Sequence, residues 1–170
     1  TVTARTKQLP VLVGASDQFS ARLTKVAKLR ARWAKREDIS CYRIYDADLP
    51  DYAVSIDLYQ SCTSSKRWLQ ISEYAAPHDI DSTLAKKRLL DVLTIAPEVL
   101  EVPPHHVNLR IRTRAKGGSQ YVSEGEVPAG ARKRTLLIDE GGLTFEVDFS
   151  QHLDCGIFLD HRQTRAMIRE

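Results

Sequence analysis

The stretch Cys41–Gln60, CYRIYDADLPDYAVSIDLYQ, decides how the chain folds. Tyr42 and Ile44 alternate with Arg43 and Tyr45. After the turn Asp48-Leu49-Pro50-Asp51, residues Tyr52, Val54, Ile56 and Leu58 line one face of a second run. A period of two on both sides of a proline turn predicts a β-hairpin, because successive strand side chains point to opposite faces. The acidic residues Asp46, Asp48, Asp51 and Asp57 invite a paired-carboxylate reading. Asp48 and Asp51, however, flank the proline, where a carboxylate bonds its own backbone, so structural roles are expected for all four.

Working outward, Ser61–Lys66 is a polar loop, and RWLQISEY, Arg67–Tyr74, resumes as a third strand that Pro77 ends. Asp81 stands as the cap of a helix whose Leu84, Ala85, Leu89, Val92, Leu93 and Ala96 form a broad apolar stripe. Pro97 is expected to kink or restart it, and Pro103-Pro104 to close it. Val107, Leu109, Ile111 and Thr113 then alternate with Asn108, Arg110, Arg112 and Arg114, a strand with one apolar face and arginines on the other. A glycine-containing loop leads from there to Arg134. Beyond it a hairpin is predicted from Thr135–Asp139 and Leu143–Phe149, turned at Glu140-Gly141-Gly142.

Upstream, Ser16 reads as the cap of a helix running to Glu37, with Phe19, Leu23, Val26 and Trp33 on one side. Residues 1–15 read as a linker, residues 16–150 as the principal domain, and residues 151–170 as the start of another. Helix, strands, helix, strands, with meander-like connections and no repeated βαβ unit, predicts an α+β fold with a mixed or antiparallel sheet.

A chain of 170 residues, 42% hydrophobic and 28% charged, has the composition of a soluble domain. No apolar run approaches the roughly 20 residues of a membrane span. Thr1-Val2-Thr3-Ala4-Arg5 has no initiator Met or apolar signal core, so the chain reads as a piece of a longer one. Cys41, Cys62 and Cys155 are too widely spaced for a zinc knuckle or a disulfide framework, which points to the cytoplasm. The five histidines (His78, His105, His106, His152 and His161) show no metal-ligand spacing, so no metal is expected. Residues 1–40 hold nine basic against three acidic side chains, and residues 109–134 seven against two. The remaining segments are acidic, so the two basic blocks are what a polyanion meets.

Three stretches carry candidate chemistry. RTRAKGGSQY, Arg112–Tyr121, combines glycines that permit close backbone approach with cations, hydrogen-bonding groups and an aromatic ring. Together with Arg110 it gives Arg112, Arg114, Lys116, Ser119, Gln120 and Tyr121 as candidate RNA contacts, against a polar hairpin loop as the alternative. The first helix adds Arg22, Lys25, Arg32 and Arg36, against a merely solvated face. DCGIFLDHRQTR, Asp154–Arg165, is read either as a strand delivering Asp160, His161 and Arg162 to a ligand or as a helix start with Asp160 as cap. No G-x-G-x-x-G or G-x-x-x-x-G-K is present to cradle a nucleotide.

ISCYRIYDADLPDYAVSIDLY, KGGSQY and LDCGIFLDHRQTR, in this order, closely resemble the C-terminal half of the bacterial bifunctional large-subunit ribosomal RNA methyltransferase K/L family. That half is similar to the S-adenosylmethionine-dependent RNA cytosine-C5 methyltransferases. The resemblance runs from about Phe19 to Glu170. It implies a ββαββ-type RNA-binding domain preceding a truncated Rossmann-like methyltransferase domain whose first strand lies near FLDHR. It also implies S-adenosylmethionine as cofactor, with Phe158, Asp160, His161 and Arg162 as first contacts, and methyl transfer to guanine N7 of 23S ribosomal RNA. No catalytic residue is expected within these residues; the glycine-rich cofactor loop and the groups acting on the base are expected after Glu170. The partners implied are 23S RNA and the remainder of the polypeptide. Cys155, Gln163 and Ala115 stand where the family leads one to expect Thr, Pro and Gln. The competing expectations are a self-standing RNA-binding module, a cytosine-C5 enzyme and, last, a protein adaptor.

Overall fold

The Cys41–Gln60 stretch folds as the hairpin its pattern predicts, within a computed structural model that describes residues 1–74, 81–111, 134–150 and 155–169. In chain order the elements are β1 (Val2–Ala4), β2 (Lys7–Leu9), α1 (Ser16–Arg36), β3 (Tyr42–Asp46), β4 (Val54–Gln60) and β5 (Arg67–Glu73). They continue with α2 (Ser82–Leu100), β6 (Val107–Ile111), β7 (Thr135–Glu140), β8 (Leu143–Asp148) and α3 (Arg162–Arg169). The central sheet has the order β3-β4-β5-β6, antiparallel except for β6, which α2 returns parallel to β5. The sheet is therefore mixed, and its connectivity is β-β-β-α-β. The β7–β8 hairpin forms a separate antiparallel pair.

Residues 1–15 are not a plain linker. β1 and β2 pair antiparallel, and Val2 and Ala4 enter the main core. Two three-residue strands are too short to leave a readable period, and burial of alternate small residues is what holds them. Ser16 is not the helix cap either: Ala15 occupies that position, and Ser16 is fully buried inside the first turn. Its hydroxyl donates to Asp91 of α2 at 2.6 Å, and the same carboxylate accepts from the backbone N–H of Leu12 (2.8 Å) and Val13 (2.9 Å). Asp91 thus ties the segment leading into α1, and the Ser16 side chain, to α2. Asp81 does cap α2, accepting from the N–H of Thr83. α2 runs unbroken through Pro97 to Leu100 and stops at Glu101, whose φ of 55° is left-handed.

Register explains the burial of the hairpin. Tyr42 faces Leu58 and Arg43 faces Asp57, but Tyr45 faces Ile56, so one extra residue is inserted between Arg43 and Tyr45. The bulge turns both Ile44 and Tyr45 into the core, where strict alternation had put Tyr45 on the opposite face with Arg43. Val54, Ile56, Leu58, Leu69 and Ile71 meet α1 and α2 on one side of the sheet. A second cluster, which includes Cys41, Tyr59, Ile138, Val147, Phe149, Cys155 and Ile157, covers part of the other side. Because both faces are covered, β4 is buried at every position except its last. On β6, Val107 packs against the main core, while Leu109 and Ile111 lie at the sheet edge and remain exposed.

Ile157, Phe158 and Leu159 do not form a strand. Cys155 and Gly156 take φ of 55° and 86°, turning the chain where an extended run would continue, and Leu159–His161 is one turn of 3-10 helix leading into α3. Of the three apolar residues only Ile157 is buried, and Phe158 is 55% exposed. Among the described residues no helix is long and apolar enough to cross a membrane.

Candidate binding cleft

Strand alternation places a row of polar side chains across the second face of the sheet. Arg43, Asp57, Gln70 and Asn108 stand in register on β3, β4, β5 and β6. Beside them runs a second row, Asp46, Ser55, Ser72 and Arg110. Sheet faces that point inward are ordinarily apolar, so a buried polar row needs partners for its hydrogen-bonding groups.

Most of them are found. The Arg43 guanidinium forks onto Asp57, Nε to Oδ1 at 2.7 Å and Nη2 to Oδ2 at 3.1 Å, and its Nη1 reaches Asp46 at 3.2 Å. The hydrogen bond to Asp57 holds the guanidinium more firmly protonated than usual, against the opposing effect of burial. The Tyr74 hydroxyl donates to Asp46 at 2.5 Å. Asn108 Oδ1 accepts from Arg134 at 3.1 Å, and Gln70 Oε1 accepts from the Cys155 thiol at 3.4 Å. The other halves of these two amides are unmatched: Gln70 Nε2 and Asn108 Nδ2 are buried and have no partner among the described residues.

Arg43, Asp57, Tyr59, Gln70 and Ser72 form the floor of a cleft of about 550 Å³. Arg30 and Trp33 of α1 contribute to its rim, and Cys155, residues 157–160 and Arg162 form a wall. Burial pushes the Tyr59 phenol far above its ordinary range and raises the Cys41 thiol, so both stay neutral on the floor.

Of the expected cofactor contacts, Phe158, Asp160 and Arg162 line this cleft. His161 is exposed beside them, its Nε2 3.8 Å from Asp160 and its ring tilted against Phe158. Asp160 lies inside the 3-10 turn rather than at its cap, a position that Phe158 occupies. Arg165, two turns of chain from Phe158, is the residue that fixes this wall. It forks onto Glu140 of β7 at 2.8 Å through Nε and Nη2 and donates to the Phe158 carbonyl through Nη1.

The expected RNA contacts divide. On α1, Lys25 and Arg32 are exposed, Arg22 is forked onto Asp48 at 2.6 and 2.9 Å, and Arg36 pairs with Glu37. Arg110 donates to the Phe149 carbonyl at 2.6 Å. Arg112, Arg114, Lys116, Ser119, Gln120 and Tyr121 lie outside the described residues. Sequence reasoning missed Arg43, Gln70 and Asn108 and read Asp57 as structural. The available signal was Gln70 and Ser72 set between apolar residues in RWLQISEY, which looks the same whether that face meets water or a cleft. Among the described residues no group of three His, Cys, Asp or Glu is placed to hold a metal.

No family model matches the chain. Among solved structures it is similar to one from Streptococcus mutans described as a SAM-dependent methyltransferase, at 20% identity and a TM-score of 0.48, covering 87% of this chain and 35% of that one. Sequence similarity is more particular. The chain is 43% identical over 155 residues to the ribosomal RNA large subunit methyltransferase K/L of Methylococcus capsulatus, covering 91% of this chain and 20% of that protein. It is 45% identical over 150 residues to the protein of the same name from Allochromatium vinosum, covering 88% and 19%. Against the one from Cellvibrio japonicus it is 37% identical over 169 residues, covering 97% and 22%. The chain therefore spans about a fifth of the length of the curated relatives it matches.

Proposed function

We propose that this chain is part of an S-adenosylmethionine-dependent methyltransferase acting on guanine N7 of 23S ribosomal RNA in the cytoplasm, and that it supplies RNA contacts and one edge of the cofactor site. The observation that carries the reading is the 43% identity over 155 residues to a large-subunit methyltransferase K/L.

The residues on the cleft wall suit such a cofactor. Asp160 is 80% exposed and its carboxylate is open to a ribose hydroxyl or an ammonium group, while the ring of Phe158, beside that of His161, is partly exposed at the rim. Arg162 brings a cation to the same edge, and His161 stands beside Asp160. When bound, S-adenosylmethionine supplies an electrophilic sulfonium methyl group. The chain's own part is to orient: Arg165 and Glu140 hold the start of α3, so that Phe158 and Asp160 keep their places at the rim. Exposed Lys25 and Arg32 would meet RNA phosphates.

The test is methyl transfer from labelled S-adenosylmethionine to large-subunit RNA by the longer protein that carries this chain. Formation of 7-methylguanosine is expected, and Asp160→Ala and Arg162→Ala should each lower kcat/KM for the cofactor more than tenfold, about 1.4 kcal/mol or above. The 170-residue chain alone is expected to transfer no methyl group. 5-Methylcytidine as product would turn the reading to the cytosine-C5 family, and unchanged kinetics in both variants would remove Asp160 and Arg162 from the site.

A further inference from the structure

The floor of the cleft is over-equipped for a structural role. Asp57 and Gln70 are direct register partners on β4 and β5, both nine-tenths or more buried, both lining the same cleft. One presents an acceptor and the other a donor. Asp57 uses one lone pair on each oxygen to hold Arg43, and a carboxylate has about four such sites. Gln70 has its oxygen engaged by Cys155, which leaves the Nε2 donor over, with no partner among the described residues. A buried amide donor without an acceptor costs about 1–3 kcal/mol, so a ligand that supplies the acceptor recovers that cost.

Chemistry narrows the ligand. A carboxylate with an amide donor beside it matches an edge that offers adjacent N–H donors next to a carbonyl oxygen. Among the nucleobases only guanine has that order: the N1–H and the exocyclic 2-amino group for the carboxylate, and O6 for the amide. Adenine and cytosine each offer one amino group beside an acceptor nitrogen, and uracil offers one N–H between two carbonyls. An edge held in this way leaves N7, which lies beside O6 on the neighbouring edge of the purine, outside these contacts.

We propose that Asp57 and Gln70 are the specificity-determining pair for the target base: an unstacked guanine enters the cleft, its N1–H and 2-amino group donating to Asp57 and its O6 accepting from Gln70 Nε2. Arg43 is a positioning residue that holds the Asp57 carboxylate in its orientation through two parallel hydrogen bonds. The inference rests on the guanine-N7 reading above and assigns that reading a base-recognition site within this chain.

The test uses the 170-residue chain and single-stranded uridine pentamers carrying a central guanosine, inosine or cytidine. Trp33, on the cleft rim, reports binding by fluorescence, and the Gln70 side-chain amide resonances report it by NMR. Inosine keeps O6 and N1–H and lacks only the 2-amino group, so the guanosine pentamer should bind about tenfold tighter than the inosine one. Both should shift the Gln70 amide signals, and the cytidine pentamer should not. Asp57→Asn should bring guanosine and inosine level. Gln70→Met, close in shape, should weaken both alike and leave their ratio unchanged, which separates the two roles even if Asp57→Asn melts early.

Equal binding of guanosine and inosine by the native chain would overturn the proposal. So would a ratio that survives Asp57→Asn, or displacement of the guanosine pentamer by S-adenosylmethionine. If base discrimination is absent while the longer protein still forms 7-methylguanosine, the pocket assignment falls and the functional reading stands. The reverse result would leave a guanine-binding cleft without the methyltransferase.

Discussion

Asp91 shows what a single buried carboxylate does for this fold. It is 1% exposed and accepts from two backbone N–H groups and the Ser16 hydroxyl, which is itself hydrogen-bonded to Tyr52. Asp91→Ala strands those donors and should cost about 3 kcal/mol, read from the urea midpoint at unchanged m-value; Asp91→Asn, which keeps one acceptor, should cost less. Tyr45 gives a pH signature. Its hydroxyl donates to the Tyr52 carbonyl and accepts from the Leu49 N–H, and burial pushes the phenol up to about 12. A phenol whose folded pKa lies above the unfolded value of about 10 stabilises the fold fully below pH 10, and that contribution disappears as pH rises towards 12. Stability should therefore fall between pH 10 and 12, and a Tyr45→Phe chain should lose less across that window. Arg110→Gln should lower the melting temperature by releasing the Phe149 carbonyl while barely changing the salt dependence of RNA binding.

Among elements, α1 and α3 differ in what their exposed faces carry. Lys25 and Arg32 lie two turns apart on one side of α1, about 10 Å along the axis, and among the described residues they form no ion pair of the kind that engages Arg22 and Arg36. If they neutralise phosphates, replacing both by Gln should flatten the log–log salt slope of RNA binding by roughly 1.4 to 1.8. An unaltered slope would mark that face as solvated. The strands were legible because period-two alternation is a property of side-chain direction. The bulge that buries Tyr45 was not, since one inserted residue leaves no trace in composition. FLDHR misled as a strand because Ile157-Phe158-Leu159 has strand composition, while the left-handed turn at Cys155-Gly156 is set by backbone dihedrals that only Gly156 hints at.

For the molecule as a whole, the sheet with a core on each side sets a gradient of stability. β4 and β5 are flanked by strands and covered on both faces, whereas α3 has no buried residue and β1 is three residues long. Amide exchange should be slowest in β4 and β5 and fastest in α3 and the β1–β2 pair. The cleft wall was legible as a constellation, Asp160 to Arg162, because charged residues after an apolar run stand out. The floor was not, because Arg43, Asp57, Gln70 and Asn108 come from four strands and meet only through register.

The Asp91 contacts also govern how the protein can be trimmed. Residues 1–15 look dispensable on a sequence plot, yet they bring Val2 and Ala4 to the core and the Leu12 and Val13 N–H groups to Asp91. A fragment begun at Ser16 would leave a buried carboxylate with one hydroxyl for company, and would tend to express as an aggregating, partly folded species. Pairing that shortened start with Asp91→Asn removes the stranded charge, so a designer after a minimal version should make the two changes together or neither.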